Sequence, residues 1–223
     1  MKQVAVLGLG DFGLFLAEQL NNNGVSVLAV DMSRARVDLL RDKIDHIVMA
    51  DITQASALGK LRLPAMDVVV VATSSPLPSS VLCVLRLKEL GVERIIAKAE
   101  NQDHAKVLQA MGVDEILIPE QDTATRLANK LSWTHVLEML EFSAGCSIME
   151  VAAPPGIVGK SIRHSGLRET YQVQVLGVRE WPGAILEPIP SPDYVIKERN
   201  TLVVFGGDTS LASLRKEAER RKE

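Results

Sequence analysis

The sequence predicts an α/β protein with a doubly wound parallel sheet of six strands, followed by crossover helices and a small α+β subdomain. Strand and helix patterns alternate regularly up to about residue 132. A glycine-rich turn, residues 8–13, joins the first apolar strand to the first helix. Hydrophobic residues make up 47% of the chain but aromatic residues only 4%, which is typical of aliphatic sheets buried on both faces. We therefore expect domains at residues 1–122, 123–142 and 143–223.

The first strand–helix–strand unit carries the signature of a Rossmann nucleotide-binding fold. In this pattern Gly8 allows the tight turn, Gly10 lets a pyrophosphate approach the backbone, and Gly13 lets helix and strand pack closely. The free N–H groups and the positive dipole end of the helix then hold phosphates. The second strand ends at Asp31, at about the fingerprint spacing of 20 residues, where a carboxylate accepts both ribose hydroxyls of an adenosine and repels a 2′-phosphate. An ordinary tight turn with an exposed aspartate is the alternative.

The remaining elements follow from hydrophobic period and turn residues. Ser33 is the expected N-cap of the second helix. In the first domain we expect strands at residues 46–50, 67–72, 94–98 and 115–118, and helices at residues 33–42, 52–61, 79–90 and 102–111. Residues 123–141 predict one long amphipathic helix, or two helices broken near Ser132. Beyond them we expect strands at residues 147–152, 173–179 and 201–205, and helices at residues 161–171 and 211–219.

Composition excludes several functional classes. A net charge of −3 argues against a nucleic-acid binder that depends on a broad basic face. Cys83 and Cys146 lie far apart in apolar runs, which indicates buried thiols in a reducing compartment rather than a disulfide or a metal pair. No apolar run approaches the roughly 20 residues needed to span a bilayer, and no signal-peptide pattern is present. We therefore expect a cytosolic chain without membrane insertion of its own.

Ligands of doubly wound sheets bind beyond the carboxyl ends of the strands, so the residues that follow each strand are the candidate site. They are Gly8, Gly10, Asp11, Phe12, Gly13, Asp31, Met32, Asp51, Ile52, Ala72, Thr73, Ser74, Lys98 and Glu120. Asp51 could accept the adenine amino group while Ile52 covers the ring, or Asp51 could only cap the next helix. Thr73 and Ser74 can donate to phosphate or form a polar loop. Lys98 has the charge for phosphate, and an exposed lysine is the alternative.

Catalytic residues are not evident. The four histidines lack metal-ligand spacing, and there is no nucleophile elbow or Walker lysine. His104, near a predicted helix start, is interpreted as a surface or capping residue. These observations favour a regulatory nucleotide, whereas an NAD-dependent oxidoreductase with a compact second domain is the alternative function.

Several segments resemble the RCK (regulator of K⁺ conductance) proteins of the KtrA/TrkA type. They are VLGLGDFG (6–13), VLAVD (27–31), IIAKAENQDHAKVLQAMGVD (95–114) and IPEQD (118–122), with GKSI (159–162), LR (167–168) and VLGV (175–178) in the tail. The segment from Lys98 to Pro119 is far more specific than the glycine pattern alone. The similarity covers nearly the whole chain.

The resemblance implies an adenine nucleotide, ATP, ADP or NAD(H), in the cleft of the first domain. It gives phosphate contacts to the three glycines and Lys98, ribose contacts to Asp31, and adenine contacts to Asp51 and Ile52. It also gives Glu120 a role in binding a divalent cation, Mg²⁺ or Ca²⁺, near the phosphates; a helix-start carboxylate is the alternative. In the tail, Ile162, Arg163 and Arg168 match a stretch that binds cyclic di-AMP in some members, with a solvated helix face as the alternative.

The resemblance further implies a gating subunit at the inner face of the cell membrane. Such proteins form homodimers that assemble into a ring, here expected to be octameric, beneath an integral-membrane potassium channel or transporter. The helix from Thr123 would pack on the partner subunit, and its apolar stripe fits this role.

Asp11 departs from the KtrA-type pattern, in which arginine often stands at this position and reaches the terminal phosphate. A carboxylate there repels a triphosphate. We therefore expect ATP to bind less than about ten-fold more tightly than ADP, as measured by calorimetry. A larger preference for ATP would contradict this interpretation of Asp11.

Overall fold

The computed structural model describes residues 2–44, 46–73, 76–132 and 136–220. The chain divides into two compact units, Met1–Asp122 and Thr123–Glu223. Among the residues described, no helix has both the length and the apolar character needed to cross a membrane.

The first unit contains a six-stranded parallel sheet flanked by helices. Its strands are β1 (Gln3–Leu7), β2 (Ser26–Asp31), β3 (His46–Met49), β4 (Val68–Val71), β5 (Ile95–Lys98) and β6 (Glu115–Leu117). Its helices are α1 (Asp11–Asn22), α2 (Arg34–Leu40), α3 (Ala55–Leu58), α4 (Leu77–Glu89) and α5 (Gln102–Ala110), and α6 (Pro119–Ser132) begins at its end. The strand order β3-β2-β1-β4-β5-β6 reverses direction between β1 and β4. The doubly wound sheet predicted from the sequence is therefore confirmed.

The two central strands explain why the sheet is stable. Val68 to Val71 of β4 are all buried, and β1 is buried from Val4 to Leu7. Such runs bury apolar side chains on both faces because helices cover both faces of the sheet. The switch in strand order places the ends of β1 and β4 side by side, where the glycine-rich turn leaves the sheet.

Gly13 lets α1 approach this turn. A Cβ atom at Gly13 would lie 1.9 Å from the carbonyl oxygen of Gly8 and 3.0 Å from the Cβ atom of Ala72. Gly8 itself has φ +99°, a backbone conformation that side chains disfavour. Two of the three glycines are therefore required by the backbone alone.

The second unit is an antiparallel sheet covered by short helices. Its strands are β7 (Val136–Ser143), β8 (Cys146–Ala152), β9 (Gln174–Arg179), β10 (Glu187–Pro188) and β11 (Thr201–Gly207), in the order β10-β9-β11-β8-β7. Its helices are α7 (Leu167–Tyr171) and α8 (Asp208–Glu219), with short 3-10 turns at Pro155–Ile157 and Ile162–His164. Alternate residues of β8 are buried, as expected of a sheet with one covered face.

The sequence predicted a crossover region at residues 123–142, with helix over residues 123–141. The second half of this helix prediction is wrong. The helix α6 ends at Ser132, and residues from Val136 form β7; residues 133–135 lie outside the described part. Ser143 of β7 pairs with Cys146 of β8 across a two-residue turn that contains Gly145 at φ +79°. Pairing along this hairpin outweighs the helical spacing of the leucines.

Two other predicted helices are shorter in the structure. The expected helix at residues 161–171 is interrupted at Gly166, which has a φ of +75°. The 3-10 turn Ile162–His164 ends before this glycine, and α7 begins after it. The expected helix at residues 52–61 is reduced to α3. The short strand β10, which pairs with β9, lies in a region where no strand was predicted.

Replacing Gly13 by alanine should destabilise the first unit by about 1–3 kcal/mol, because the methyl group collides with fixed backbone. Urea denaturation measures the change. The matched control is Gly10→Ala, since Gly10 has φ −66° and a Cβ built there meets no described heavy atom within 4 Å. We expect the control to cost less than about 1 kcal/mol; equal stability of the two variants would contradict the packing argument.

Candidate functional site

A cavity of about 280 Å³ lies at the carboxyl ends of β1 to β4, where the strand order reverses. This is the position at which open α/β sheets bind their ligands. Its lining residues are Gly8, Asp31, Met32, Arg36, Ala50, Asp51, Ile52, Thr53, Thr73, Pro76 and Ser79. The structure thus brings together six residues of the predicted site, namely Gly8, Asp31, Met32, Asp51, Ile52 and Thr73.

Asp31 is buried and bonded to the glycine-rich turn. Its Oδ2 accepts a hydrogen bond from the backbone N–H of Leu9 at 2.6 Å, and its Oδ1 accepts one from the N–H of Ser33 at 2.7 Å. Arg36 Nη1 lies 3.5 Å from Oδ2. The alternative of an exposed aspartate is therefore wrong. Sequence reasoning missed the anchoring of the turn, because it depends on the pairing of β1 with β2, and it also missed Arg36, which lies in α2 five residues after Asp31.

Asp51 closes a turn beside the cavity. Its Oδ1 accepts hydrogen bonds from the N–H and the hydroxyl of Thr53, at 2.9 and 2.7 Å. The Thr53 backbone bond is the main cause that lowers the pKa of Asp51 below its ordinary value, so the carboxylate is charged at neutral pH. The next helix, α3, has Gln54 as its N-cap. Asp51 therefore does not cap that helix.

Lys98 and Glu120 form an ion pair near the start of α1. Lys98 Nζ lies 2.5 Å from Glu120 Oε1 and 5.9 Å from the ring centre of Phe12. The side chain of Lys98 is only 14% exposed, so the alternative of an exposed lysine is wrong. The hydrogen bond from Lys98 lowers the pKa of Glu120. In the described residues there is no cluster of three or more metal-ligating side chains.

Four predicted residues differ in what they offer a ligand. Gly10 is the N-cap of α1, and Asp11 is exposed in its first turn. Ala72 is buried and packs toward Gly13 rather than into the cavity. Ser74 lies outside the described residues.

The three predicted residues of the tail also meet at one cavity. Ile162, Arg163 and Arg168 line a space of about 420 Å³ in the second unit. Arg163 Nε donates to Asp193 at 3.1 Å, and Arg168 Nη2 donates to Gln174 at 2.8 Å. The three residues do not share one helix face, but Arg163 and Arg168 are both exposed to solvent.

His104 is a buried residue, which corrects its interpretation as a surface residue. It is 1% exposed, and its Nδ1 accepts a hydrogen bond from the N–H of Glu100 at 3.2 Å. The hydrogen-bond network therefore places the ring proton on Nε2, which lies 2.9 Å from the hydroxyl of Ser80. Asn101 Oδ1 accepts a hydrogen bond from the N–H of His104 at 2.9 Å, and sequence reasoning indicated neither this bond nor the partner on α4.

The fold and the site define a class: a Rossmann nucleotide-binding domain followed by an α+β unit. Residues 4–119 match the TrkA-N domain, and residues 147–218 match the TrkA-C domain. Over 215 residues the chain is 34% identical to the Ktr system potassium uptake protein C of Bacillus subtilis, covering 96% of each chain. Over 212 residues it is 33% identical to the Ktr system potassium uptake protein A of Vibrio alginolyticus, covering 95% of this chain and 96% of that one.

The chain therefore belongs to the TrkA-N/TrkA-C family of Ktr and Trk potassium uptake proteins. This membership confirms the resemblance to RCK proteins and supports the regulatory function over the oxidoreductase alternative. The fold also matches the solved GsuK channel, with a TM-score of 0.70 at 22% identity. That match covers 97% of this chain and 39% of the channel chain.

The burial of His104 predicts a pH-dependent stability. Burial lowers the pKa of His104 below its ordinary value of 6.5, against an opposing effect of Glu100. The unfolded chain therefore binds this proton more tightly, and stability falls as pH drops below about 6.5. In His104→Gln, the loss of stability between pH 7 and pH 5.5, measured by urea denaturation, should be smaller than in the wild type. Parallel losses would contradict the prediction.

Proposed function

We propose that this chain is the nucleotide-binding regulatory subunit of a membrane potassium channel or transporter. The observation that carries the proposal is the buried Asp31 carboxylate, which holds the glycine-rich turn at the mouth of a cavity of about 280 Å³. In this proposal residues 1–122 bind the nucleotide, and residues 143–223 form the C-terminal subdomain. The chain acts by binding rather than by catalysis.

The ligand that these residues suit is an adenine nucleotide, ADP, ATP or NAD(H). Asp31 faces the cavity with acceptor capacity for the ribose, and the ionised Asp51 can accept from the adenine amino group. The N–H groups at the start of α1 take the phosphates. Among proteins that share the fold, a GsuK channel is described as bound to NAD and a Shewanella denitrificans Kef C-terminal domain as an AMP-bound form.

Lys98 and Glu120 complete the phosphate end. Lys98 supplies a cation held beside Phe12, and Glu120 supplies one ionised carboxylate. A divalent cation, Mg²⁺ or Ca²⁺, bound by Glu120 would take its other ligands from phosphate oxygens and water, as hard cations do. The cation thus belongs to the complex with nucleotide.

A second ligand, cyclic di-AMP, is proposed for the cavity of the second unit. Arg163 and Arg168 offer guanidinium groups for phosphates, and Ile162 offers an apolar contact for a base. Both arginines already have partners in this cavity, so binding would exchange these hydrogen bonds for bonds to the ligand.

The partner surface is the exposed apolar face of α6. Leu127 is 53% exposed and Leu131 is 77% exposed, and such side chains in register on one helix indicate a surface that another chain covers. We assign this face to a homodimer that assembles into an octameric ring against the integral-membrane subunit, at the inner face of the membrane. Light scattering would give the mass of about eight chains; a stable dimer with hydride-transfer activity would favour the oxidoreductase.

Regulation requires that the ligand prefers one geometry of the dimer. A nucleotide that bound both geometries equally would shift nothing. In this proposal the free energy of phosphate binding at the start of α1 and at Lys98 provides the difference between the two geometries. The shifted dimer then biases the gate of the membrane partner.

A thermal-shift screen of ATP, ADP, AMP, NAD⁺, NADH and cyclic di-AMP, with and without Mg²⁺, tests the ligand. An adenine nucleotide should raise the melting temperature of the wild type. Gly10→Ala should lose most of this shift, because the methyl group occupies the space for the phosphates, while its melting temperature without ligand should fall by no more than a few degrees. Asp31→Ala is a weaker test, since it also releases the turn from its anchor.

The matched control is Gly59→Ala. Gly59 also has a negative φ, −60°, but it ends α3 outside the residues that line the cavity. This variant should keep the full shift. An intact shift in Gly10→Ala, or no shift with any nucleotide in the wild type, would contradict the proposed binding site.

A further inference from the structure

His104 is the one buried histidine of the described residues, and nothing in the nucleotide contacts above uses it. Its imidazole lies between α4 and the segment that joins β5 to α5. Both of its ring nitrogens are hydrogen-bonded, one to Glu100 N–H and one to the hydroxyl of Ser80. Packing alone would place an apolar side chain here, since burying a polar ring requires partners on both nitrogens.

The imidazole of His104 makes two hydrogen bonds, which we call its arms. The first arm, the bond to Ser80, leads to the wall of the nucleotide cavity. The hydroxyl oxygen of Ser80 accepts a hydrogen bond from Nε2–H of His104. The same hydroxyl donates a hydrogen bond to the carbonyl oxygen of Leu77 at 2.9 Å. Leu77 is the first residue of α4. Pro76 and Ser79, its neighbours in the chain, line the cavity. The imidazole is therefore bonded to the turn that forms this wall.

The second arm, the bond from Glu100 N–H to His104, leads to Lys98 at the proposed phosphate end of the site. Glu100, whose N–H donates to Nδ1, lies two residues after Lys98 at the end of β5. Between them, Ala99 N–H bonds to Leu117 of β6 at 2.8 Å. The backbone that carries Lys98 is thus fixed on one side by the sheet and on the other by the imidazole.

We propose that His104 is a positioning residue of the nucleotide site, which fixes the first turn of α4 against the end of β5 and so sets Lys98 relative to the cavity wall. The inference rests on the proposed function and deepens it. In this inference His104 supports the phosphate contacts and not the adenine contacts, because Asp31 and Asp51 are held by other bonds. Side chains that support a binding group in this way fix its geometry without touching the ligand.

Variants that remove one arm at a time test this role. Asparagine can place an oxygen near the position of Nδ1 and keep the Glu100 bond, whereas glutamine can place a nitrogen near Nε2 and keep the Ser80 bond. His104→Leu removes both arms, and Ser80→Ala removes one arm without changing the histidine. Calorimetry with ADP and with adenosine on the full chain separates phosphate contacts from the rest of the site.

In His104→Leu we expect ADP affinity to fall about ten-fold, and adenosine affinity to fall less than about three-fold. His104→Asn and Ser80→Ala should each lose part of the ADP affinity, and their combination should be no worse than the stronger single variant, because both break the same arm. His104→Gln should rescue part of the loss in His104→Leu. If His104→Leu does not fold, Ser80→Ala carries the same comparison.

Equal losses of ADP and adenosine affinity would overturn the proposal, since a general weakening of the fold affects both ligands alike. Unchanged ADP affinity in folded His104→Leu or Ser80→Ala would also overturn it, while leaving the proposed function intact. Failure of the wild type to bind ADP, ATP or NAD(H) would overturn both the proposed function and this inference.

Discussion

The hydrogen bond from Leu9 N–H to the Asp31 carboxylate ties the end of β2 to the turn that follows β1. It joins a full charge to a backbone N–H in a buried setting, which makes it stronger than a bond between neutral groups. Because the turn leads directly into α1, this bond also sets the direction of the helix N-terminus. Gly8 and Gly13 let the turn and the helix pack closely enough for the bond to form.

The same carboxylate has limited capacity for a ligand. Its two oxygens offer about four acceptor positions, and Leu9, Ser33 and Arg36 occupy three of them. Arg36 is the weakest of these partners, at 3.5 Å and with its side chain about half exposed. A ribose can therefore take the free position and displace Arg36 for a second bond. The prediction that Asp31 accepts both hydroxyls stands as a proposal in which Arg36 must move.

Features of this chain that depend on neighbouring residues were predictable from the sequence, whereas features that depend on residues distant in the chain were not. The six-stranded sheet and the residues at its strand ends came from local patterns, because each strand and its turn are encoded by neighbouring residues. Residues 136–141 were misassigned because Leu137 and Leu140 have helical spacing, whereas the strand depends on pairing with β8 beyond the turn at residues 144–145. The role of His104 was missed for a similar reason: Ser80 is 24 residues distant in the chain. The anchoring of Asp31 likewise needed the register of two strands.

The charges at the phosphate end show why the turn geometry matters so much. Lys98 is offset by Glu120 at 2.5 Å, and Asp11 adds a further negative charge in the first turn of α1. These side chains together carry a net charge of −1, so Lys98 alone does not account for phosphate binding. The N–H groups and dipole of α1 must supply the rest of the attraction, with a cation where one is bound. Those N–H groups point correctly only while the turn is held, so the bond between Asp31 and Leu9 governs recognition at both ends of the nucleotide.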